Sequence, residues 1–326
     1  MPKPRVFVSR QIFDEAVSLL QTEADVEVWE DELPPPRDTL LEKVNGVDGL
    51  LCLLTDKVDG ELMDAAGPQL KVISQIAVGF DNIDVPEATR RGIPVGNTPE
   101  VLTQTTADAT WALMMAAARK IVDGSAAAHD GRWRTWHPLH YLGQDVYGAT
   151  LGVLGLGRIG LEVAKRANGF DMKVLYSDIF RNEAAEKEHG LRYVDQDTLL
   201  RESDFVSIHT VLNDETYHLI GEKALAKMKS NAVLVNASRG PVVDPKALYE
   251  ALKSGQIWAA ALDVTEPEPI PLDDPLLTLD NCVIVPHIAS ATYATRGEMS
   301  RLSAQNVLNG LKGERLVTCV NPEVYD

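Results

Sequence analysis

Cysteine is scarce in this 326-residue chain: Cys52, Cys282 and Cys319 are the only three, and they show no CxxC or paired spacing. That argues against a disulfide framework and a metal framework, and fits free thiols in a reducing compartment. Positive charge is also in deficit, with 31 lysines and arginines against 48 acidic residues and a formal net charge of −17. No basic run offsets this, so a nucleic-acid partner is not expected, and a small anionic ligand would need a local positive site. No stretch approaches 18 consecutive apolar residues, which leaves no candidate membrane span. The opening MPKPRVFVSR has no apolar signal core and runs straight into a strand pattern, so a cytoplasmic protein is expected.

What is present is organised around residues 149–160, ATLGVLGLGRIG. An apolar run over 151–154 meets Gly155, Gly157 and Gly160 at GxGxxG spacing, and a helix is predicted over 158–167. The first glycine permits the turn, the second lets a pyrophosphate approach the backbone, and the third lets helix pack on strand. A second strand over 173–177 ends in Asp178, where a partner for a ribose hydroxyl is expected. A bound dinucleotide explains this pattern better than a buried structural turn does.

Before it, residues 1 to about 100 alternate strand-like and helix-like pieces, the pattern of a parallel α/β unit. A glycine turn, Val78-Gly79, follows the strand predicted over 70–77 and could bind an anion through backbone amides, or be a simple turn. A helix over 103–120 is predicted, with Thr105 and Asp108 at capping-box spacing and a body apolar nearly all round, hence buried. The loop 129–143 holds Trp133, Trp136, His137, His140 and Tyr141; it is either a partner surface or a local mini-core. Alternation resumes after the glycine motif and ends in a long helix over 294–311.

Three residues stand at carboxyl ends of predicted strands: Arg239 in NASRGPVVD, Glu268 in LDVTEPEP and His287 in VIVPHIASAT. Each alone has a structural explanation. Together they suit carbonyl reduction. A guanidinium forks onto a carboxylate, and a protonated imidazole donates to the carbonyl oxygen, a contribution of roughly 10²- to 10⁴-fold in rate. A carboxylate behind the ring orients it and favours its charged form.

With AVGFDNID, NTPEVLTQTTAD, GRWRTWHPL, VYGATLGVLGLGRIG and SATYATR, these segments make the chain resemble the D-2-hydroxyacid dehydrogenase family nearly end to end, most closely its glyoxylate/hydroxypyruvate reductases. The resemblance implies two doubly wound parallel-sheet α/β domains: a Rossmann NAD-binding domain over 103–291, inserted in a flavodoxin-like split substrate domain over 1–102 and 292–326. It places the catalytic trio on Arg239, Glu268 and His287, with Glu266 the second choice for the acid. Leu54, Val78, Gly79, Arg239, His287 and Ser290 would bind substrate, joined by Trp136 from the partner subunit of a homodimer. Thr106, Gly155, Leu156, Gly157, Arg158, Ile159, Gly160, Asp178, Ile179, Val211, Ala237, Ser238, Arg239, Asp263, His287 and Ala289 would touch the cofactor.

Two departures stand out. NADP-preferring relatives carry glycine or arginine where this chain has Asp178-Ile179-Phe180, and a 2′-phosphate beside that carboxylate would meet repulsion of about 4 kcal/mol at 4 Å before screening. NAD(H) over NADP(H) is therefore expected, with Arg181 only partly offsetting the repulsion. Ala289 replaces a common glycine. The expected activity is reduction of glyoxylate or hydroxypyruvate to the D-2-hydroxy acid. The alternatives are a 3-phosphoglycerate or broad 2-ketoacid dehydrogenase, or a non-catalytic NAD-sensing protein like the corepressors of this fold.

Overall fold

The computed structural model describes residues 2–326. Its chain divides into two compact units, Met1–Leu102 with Ala291–Asp326, and Thr103–Ser290. Five parallel strands form the first: β1 (Arg5–Val8), β2 (Asp25–Val28), β3 (Gly49–Cys52), β4 (Val72–Gln75) and β5 (Val95–Gly96). Their order, β2-β1-β3-β4-β5, is flavodoxin-like. Alternate side chains enter opposite cores, Phe7, Leu50 and Cys52 on one face and Val6, Val8 and Leu51 on the other. Strands buried on both faces read as continuous apolar runs, which is why the alternation was visible without a polar face. Helix Tyr293–Leu311 belongs to this unit and lays Ala304, Val307 and Leu308 on the second core.

Seven parallel strands form the second unit: β6 (Thr150–Leu154), β7 (Lys173–Ser177), β8 (Arg192–Tyr193), β9 (Phe205–Ile208), β10 (Val233–Asn236), β11 (Ala259–Leu262) and β12 (Cys282–Ile284). The order β12-β11-β10-β9-β6-β7-β8 is the Rossmann arrangement with one strand added. Leu154 pairs with Ser177 and Ile208, Ile208 with Asn236, Asn236 with Leu262, and Leu262 with Ile284. Parallel strands aligned this way end together, so the loops that follow them leave from one edge of the sheet. The glycine motif follows β6, next to β9, where the connections reverse direction.

Some details differ from the sequence reading. Helix Thr103–Ala118 begins before Thr105, so that residue lies in the first turn and does not cap it. Nor is the helix buried all round. Ala107, Trp111 and Met114 enter the core of the second unit, while Gln104, Asp108 and Ala112 form an exposed stripe. Alanine on the outer face costs little, so an apolar composition did not require burial. Trp111 anchors the helix by stacking on Phe170 at 4.8 Å and donating from Nε1 to the Val163 carbonyl at 3.0 Å. Helices Ile121–His129, Glu183–His189 and Gln196–Glu202 and the edge strand β8 were not anticipated. Their sequences are short and mostly polar or small. Among the described residues no helix is long and apolar enough to cross a membrane.

The chain end is tied to β5 by Asn321, which is fully buried. Its Oδ1 accepts from Val95 N at 2.8 Å, and its Nδ2 donates to the Ile93 carbonyl and to Thr89 Oγ1 at 3.0 and 2.9 Å. Asn321→Ala strands two buried main-chain groups at about 1–3 kcal/mol each. The expected result is a lower urea midpoint with an unchanged slope; an unchanged midpoint would contradict this accounting.

Candidate active site

Loops leaving β10, β11 and β12 carry Arg239, Glu268 and His287. Asn236, the last residue of β10, is fully buried and folds the first loop back on itself. Its Nδ2 donates to the Arg239 carbonyl at 2.8 Å, and its Oδ1 accepts from Ser238 N and Oγ. Arg239 Nη1 donates to the Ser238 carbonyl at 2.8 Å. Gly240 then sits hard against the next loop: a Cβ there would lie 1.9 Å from the Thr265 carbonyl oxygen.

His287 occupies the left-handed backbone region at φ +52°, a conformation that costs a β-carbon residue roughly 1–2 kcal/mol. Asp263 holds it there. The Asp263 carbonyl accepts from His287 N at 2.9 Å, and its carboxylate oxygens accept from Ile288 N at 2.7 Å and Ala289 N at 3.1 Å. Asp263 is 1% exposed. Burial raises its carboxyl above the ordinary range, although both amides and the charge of His287 pull the other way.

The turn brings His287 Nδ1 to 2.6 Å from Glu268 Oε1. Burial pushes the Glu268 carboxyl up, but the hydrogen bond and charge of His287, the Thr265 amide and the charge of Arg239 together hold it below the usual carboxylate range. The carboxylate thus favours its ionised form against the ring, and the guanidinium of Arg239 lies close enough to act on the same group. Glu266 goes elsewhere: its Oε2 accepts from His218 Nε2 at 2.6 Å.

At the other end of the same sheet edge, Gly155 has φ +88°, and a Cβ on it would approach the His209 carbonyl carbon and oxygen at 2.8 Å. A Cβ on Gly160 would meet the Gly155 oxygen at 2.1 Å, so this glycine lets helix Arg158–Arg166 pack onto the turn. Gly157 is different, because a Cβ there meets nothing within 4 Å. Its smallness is not needed for packing and leaves the turn open above a helix start with no side-chain cap. Asp178 follows β7 and accepts from Leu156 N at 2.6 Å and from Phe180 N at 3.2 Å. A bare glycine turn, an uncapped helix start and a nearby carboxylate suit the pyrophosphate and ribose of a dinucleotide.

Of the remaining candidates in this unit, Ile179 and Val211 are exposed beside this edge, Arg158 is exposed and Ile159 half-buried. Leu156, Ala237 and Ala289 are buried, and Ser238 and Ser290 are half-buried. Thr106 is buried on helix Thr103–Ala118, where its carbonyl accepts from Thr110 Oγ1. Trp133 and Trp136 are 63% and 79% exposed, so the aromatic loop forms no mini-core within the chain.

The first unit holds Leu54, half-buried after β3, and the Val78-Gly79 turn after β4. Thr98 N donates to the Ala77 carbonyl and Asn97 Nδ2 to the Val78 carbonyl, both at 2.8 Å. In a trans peptide the N–H points opposite the carbonyl. Those two bonds therefore turn the Val78 and Gly79 N–H groups outward, and among the described residues neither has an acceptor. Gln75 Nε2 holds the Gly79 carbonyl, and Asn82 ties the turn to Leu53 and Asp56. Asn236, Gln75, Asn82 and Asn97 escaped the sequence reading as supports of the site, since nothing in their spacing marks them, and Asp263, expected at the cofactor, has its carboxylate on the Ile288 and Ala289 amides.

Comparison with known proteins accords with this geometry. Residues 111–289 match the family model described as D-isomer specific 2-hydroxyacid dehydrogenase, NAD binding domain. A glyoxylate reductase from Korarchaeum cryptofilum is 53% identical over 323 residues, covering 99% of this chain and 97% of that protein. The crystal structure of a glyoxylate reductase from Paecilomyes thermophila superposes with a TM-score of 0.87 at 35% identity, covering 99% of each chain. That of an NADPH-dependent glyoxylate/hydroxypyruvate reductase from Sinorhizobium meliloti, in complex with NADP and malonate, gives 0.85 at 30% identity, covering 98% of this chain and 97% of the other. The seven-stranded unit is therefore a domain for a nicotinamide cofactor, and the chain belongs to the D-isomer specific 2-hydroxyacid dehydrogenases.

Proposed function

We propose that this protein reduces a small 2-oxo acid, glyoxylate or hydroxypyruvate, to the D-2-hydroxy acid. The observation that carries the reading is the Glu268–His287 pair at 2.6 Å, formed beside Arg239 on the edge of a dinucleotide-binding sheet. Similarity to glyoxylate reductases supports the choice of substrate. When bound, a reduced nicotinamide supplies the hydride that the 2-oxo carbon accepts.

In this reading the guanidinium of Arg239 forks onto the substrate carboxylate and leans on the adjacent carbonyl oxygen, which fixes the carbon that reacts. The outward amides of Val78 and Gly79 give the first unit an anion turn suited to a carboxylate, with Leu54 following β3 in the same unit, while Ser290 lies three residues after His287 in the second. His287 gives its Nε2 proton to the carbonyl oxygen as the C–O bond gains negative charge, leaving an alcohol and a neutral ring. Glu268 keeps the ring oriented and offsets its charge. The exposed aromatic loop is the homodimer contact, and Trp136 closes the partner subunit's substrate site.

NADH oxidation by glyoxylate and hydroxypyruvate tests the proposal. Turnover is expected; none with any small 2-oxo acid would instead favour a non-catalytic dinucleotide-binding protein. Glu268→Gln removes the negative charge beside His287 while keeping an oxygen that can accept from Nδ1. The kcat/KM for reduction should fall, and an unchanged value would contradict the pairing.

NAD(H) is the preferred coenzyme in this reading. Asp178 stands where a 2′-phosphate would approach, and Arg181, the nearby cation, is engaged by both Glu186 carboxylate oxygens at 2.9 Å. It is therefore poorly placed to relieve the repulsion. NADH should give the higher kcat/KM, and Asp178→Ala should narrow the gap chiefly through the KM for NADPH. Equal or better use of NADPH by the native protein would overturn the assignment.

A further inference from the structure

A second histidine–glutamate pair stands behind the first. His218 Nε2 donates to Glu266 Oε2 at 2.6 Å, and Tyr217 Oη donates to Glu266 Oε1 at 3.3 Å. The Tyr217 and His218 rings stack at 4.0 Å, 16° from parallel, so the histidine is braced on one face. Both members of this pair are about three-quarters buried at the side chain, 30% and 26% exposed. The main chain of His218 is held as well, its N donating to the Pro241 carbonyl at 2.8 Å from a left-handed conformation at φ +50°.

These contacts have a particular placement. Pro241 lies two residues after Arg239, and Glu266 two residues before Glu268. One residue therefore ties the segment carrying the guanidinium, through its backbone, to the segment carrying the carboxylate, through its ring. The Glu268 segment is otherwise held by Gly240 packed against Thr265, by Thr265 N reaching Glu268 Oε2 at 3.3 Å, by Thr265 Oγ1 donating to the Pro267 carbonyl and by the bond of Glu268 to His287, while Pro267, Glu268 and Pro269 are exposed. An exposed loop without a strand pairing relies on side-chain ties for its position.

We propose that His218 is a positioning residue for the acid pair, acting through Glu266 to hold Glu268 where it meets His287 Nδ1. Removing the ring loosens the Glu266–Glu268 segment, leaving the longer Tyr217 bond on Glu266, but keeps the backbone bond to Pro241, and so Arg239, in place. The loss should therefore fall on the proton-transfer step and not on capture of the substrate carboxylate. This inference rests on the reductase reading given above.

Steady-state kinetics with NADH and glyoxylate test it. His218→Ala should lower kcat by roughly tenfold, less than the 10²-fold that a full 1 Å misplacement can cost, with little change in KM for glyoxylate. His218→Gln retains a donor to Glu266 and should recover most of the rate. Glu266→Ala removes the same bond from the other side and should reproduce His218→Ala, which keeps the comparison decisive if the histidine variant does not fold. The loss should also largely vanish when His218→Ala is made in a Glu268→Ala background, because the positioned group is then absent. A kcat unchanged in both alanine variants, a loss confined to KM, no recovery in His218→Gln, or an equal loss in the Glu268→Ala background would each overturn the proposal. Absence of turnover in the native protein would remove the reductase reading, and this inference with it; turnover that the variants leave intact would remove only this inference.

Discussion

A carboxylate with almost no access to solvent sets the position of the one side chain on which the proposed chemistry turns. Asp263 accepts two backbone amides just beyond β12 and offers its own carbonyl to a third, and so keeps His287 in a conformation a histidine adopts only against resistance. The strain is local and the three hydrogen bonds exceed it. What the molecule gains is direction, since the ring leaves the turn with Nδ1 already against Glu268. The same residue that reads as a strand terminus is thus the support of the acid pair.

That support depends in turn on the sheet. Arg239, Glu268 and His287 come from three neighbouring parallel strands whose last residues pair across the ladder, so the side chains converge with neither a long loop nor a distant element to bring them together. The glycine turn, three strands from β11 along the same edge, takes its position from the same alignment. Open α/β sheets collect ligands outside the carboxyl ends of their strands. In the proposed reading that rule joins the glycine turn and the Glu268–His287 pair within one continuous unit.

Much of this architecture was legible in the residues themselves. Apolar runs buried on both sides announce parallel strands, and a glycine turn followed by a carboxylate at the end of the next strand announces a dinucleotide. The choice between Glu266 and Glu268 was not legible from spacing, because both precede proline in one short loop and only the fold decides which reaches His287. Asn236 and Asn97 were invisible as supports, and Asp263 was marked only as a cofactor contact, since their role is to bond main-chain groups that become neighbours only after folding. The helix beginning at Thr103 misled through composition: its alanines suit a core, but an outer stripe of Gln104, Asp108 and Ala112 faces solvent. In the loop carrying Trp133 and Trp136, exposure removes the mini-core reading that composition allowed.

The central claim is that His287 supplies the proton as the carbonyl is reduced. Its most direct test is the single-turnover rate of NADH oxidation with saturating glyoxylate in a His287→Gln variant, measured beside the affinity of that variant for NADH. The account predicts a rate lower by roughly 10²- to 10⁴-fold with NADH bound as in the native protein. A rate close to native would contradict it.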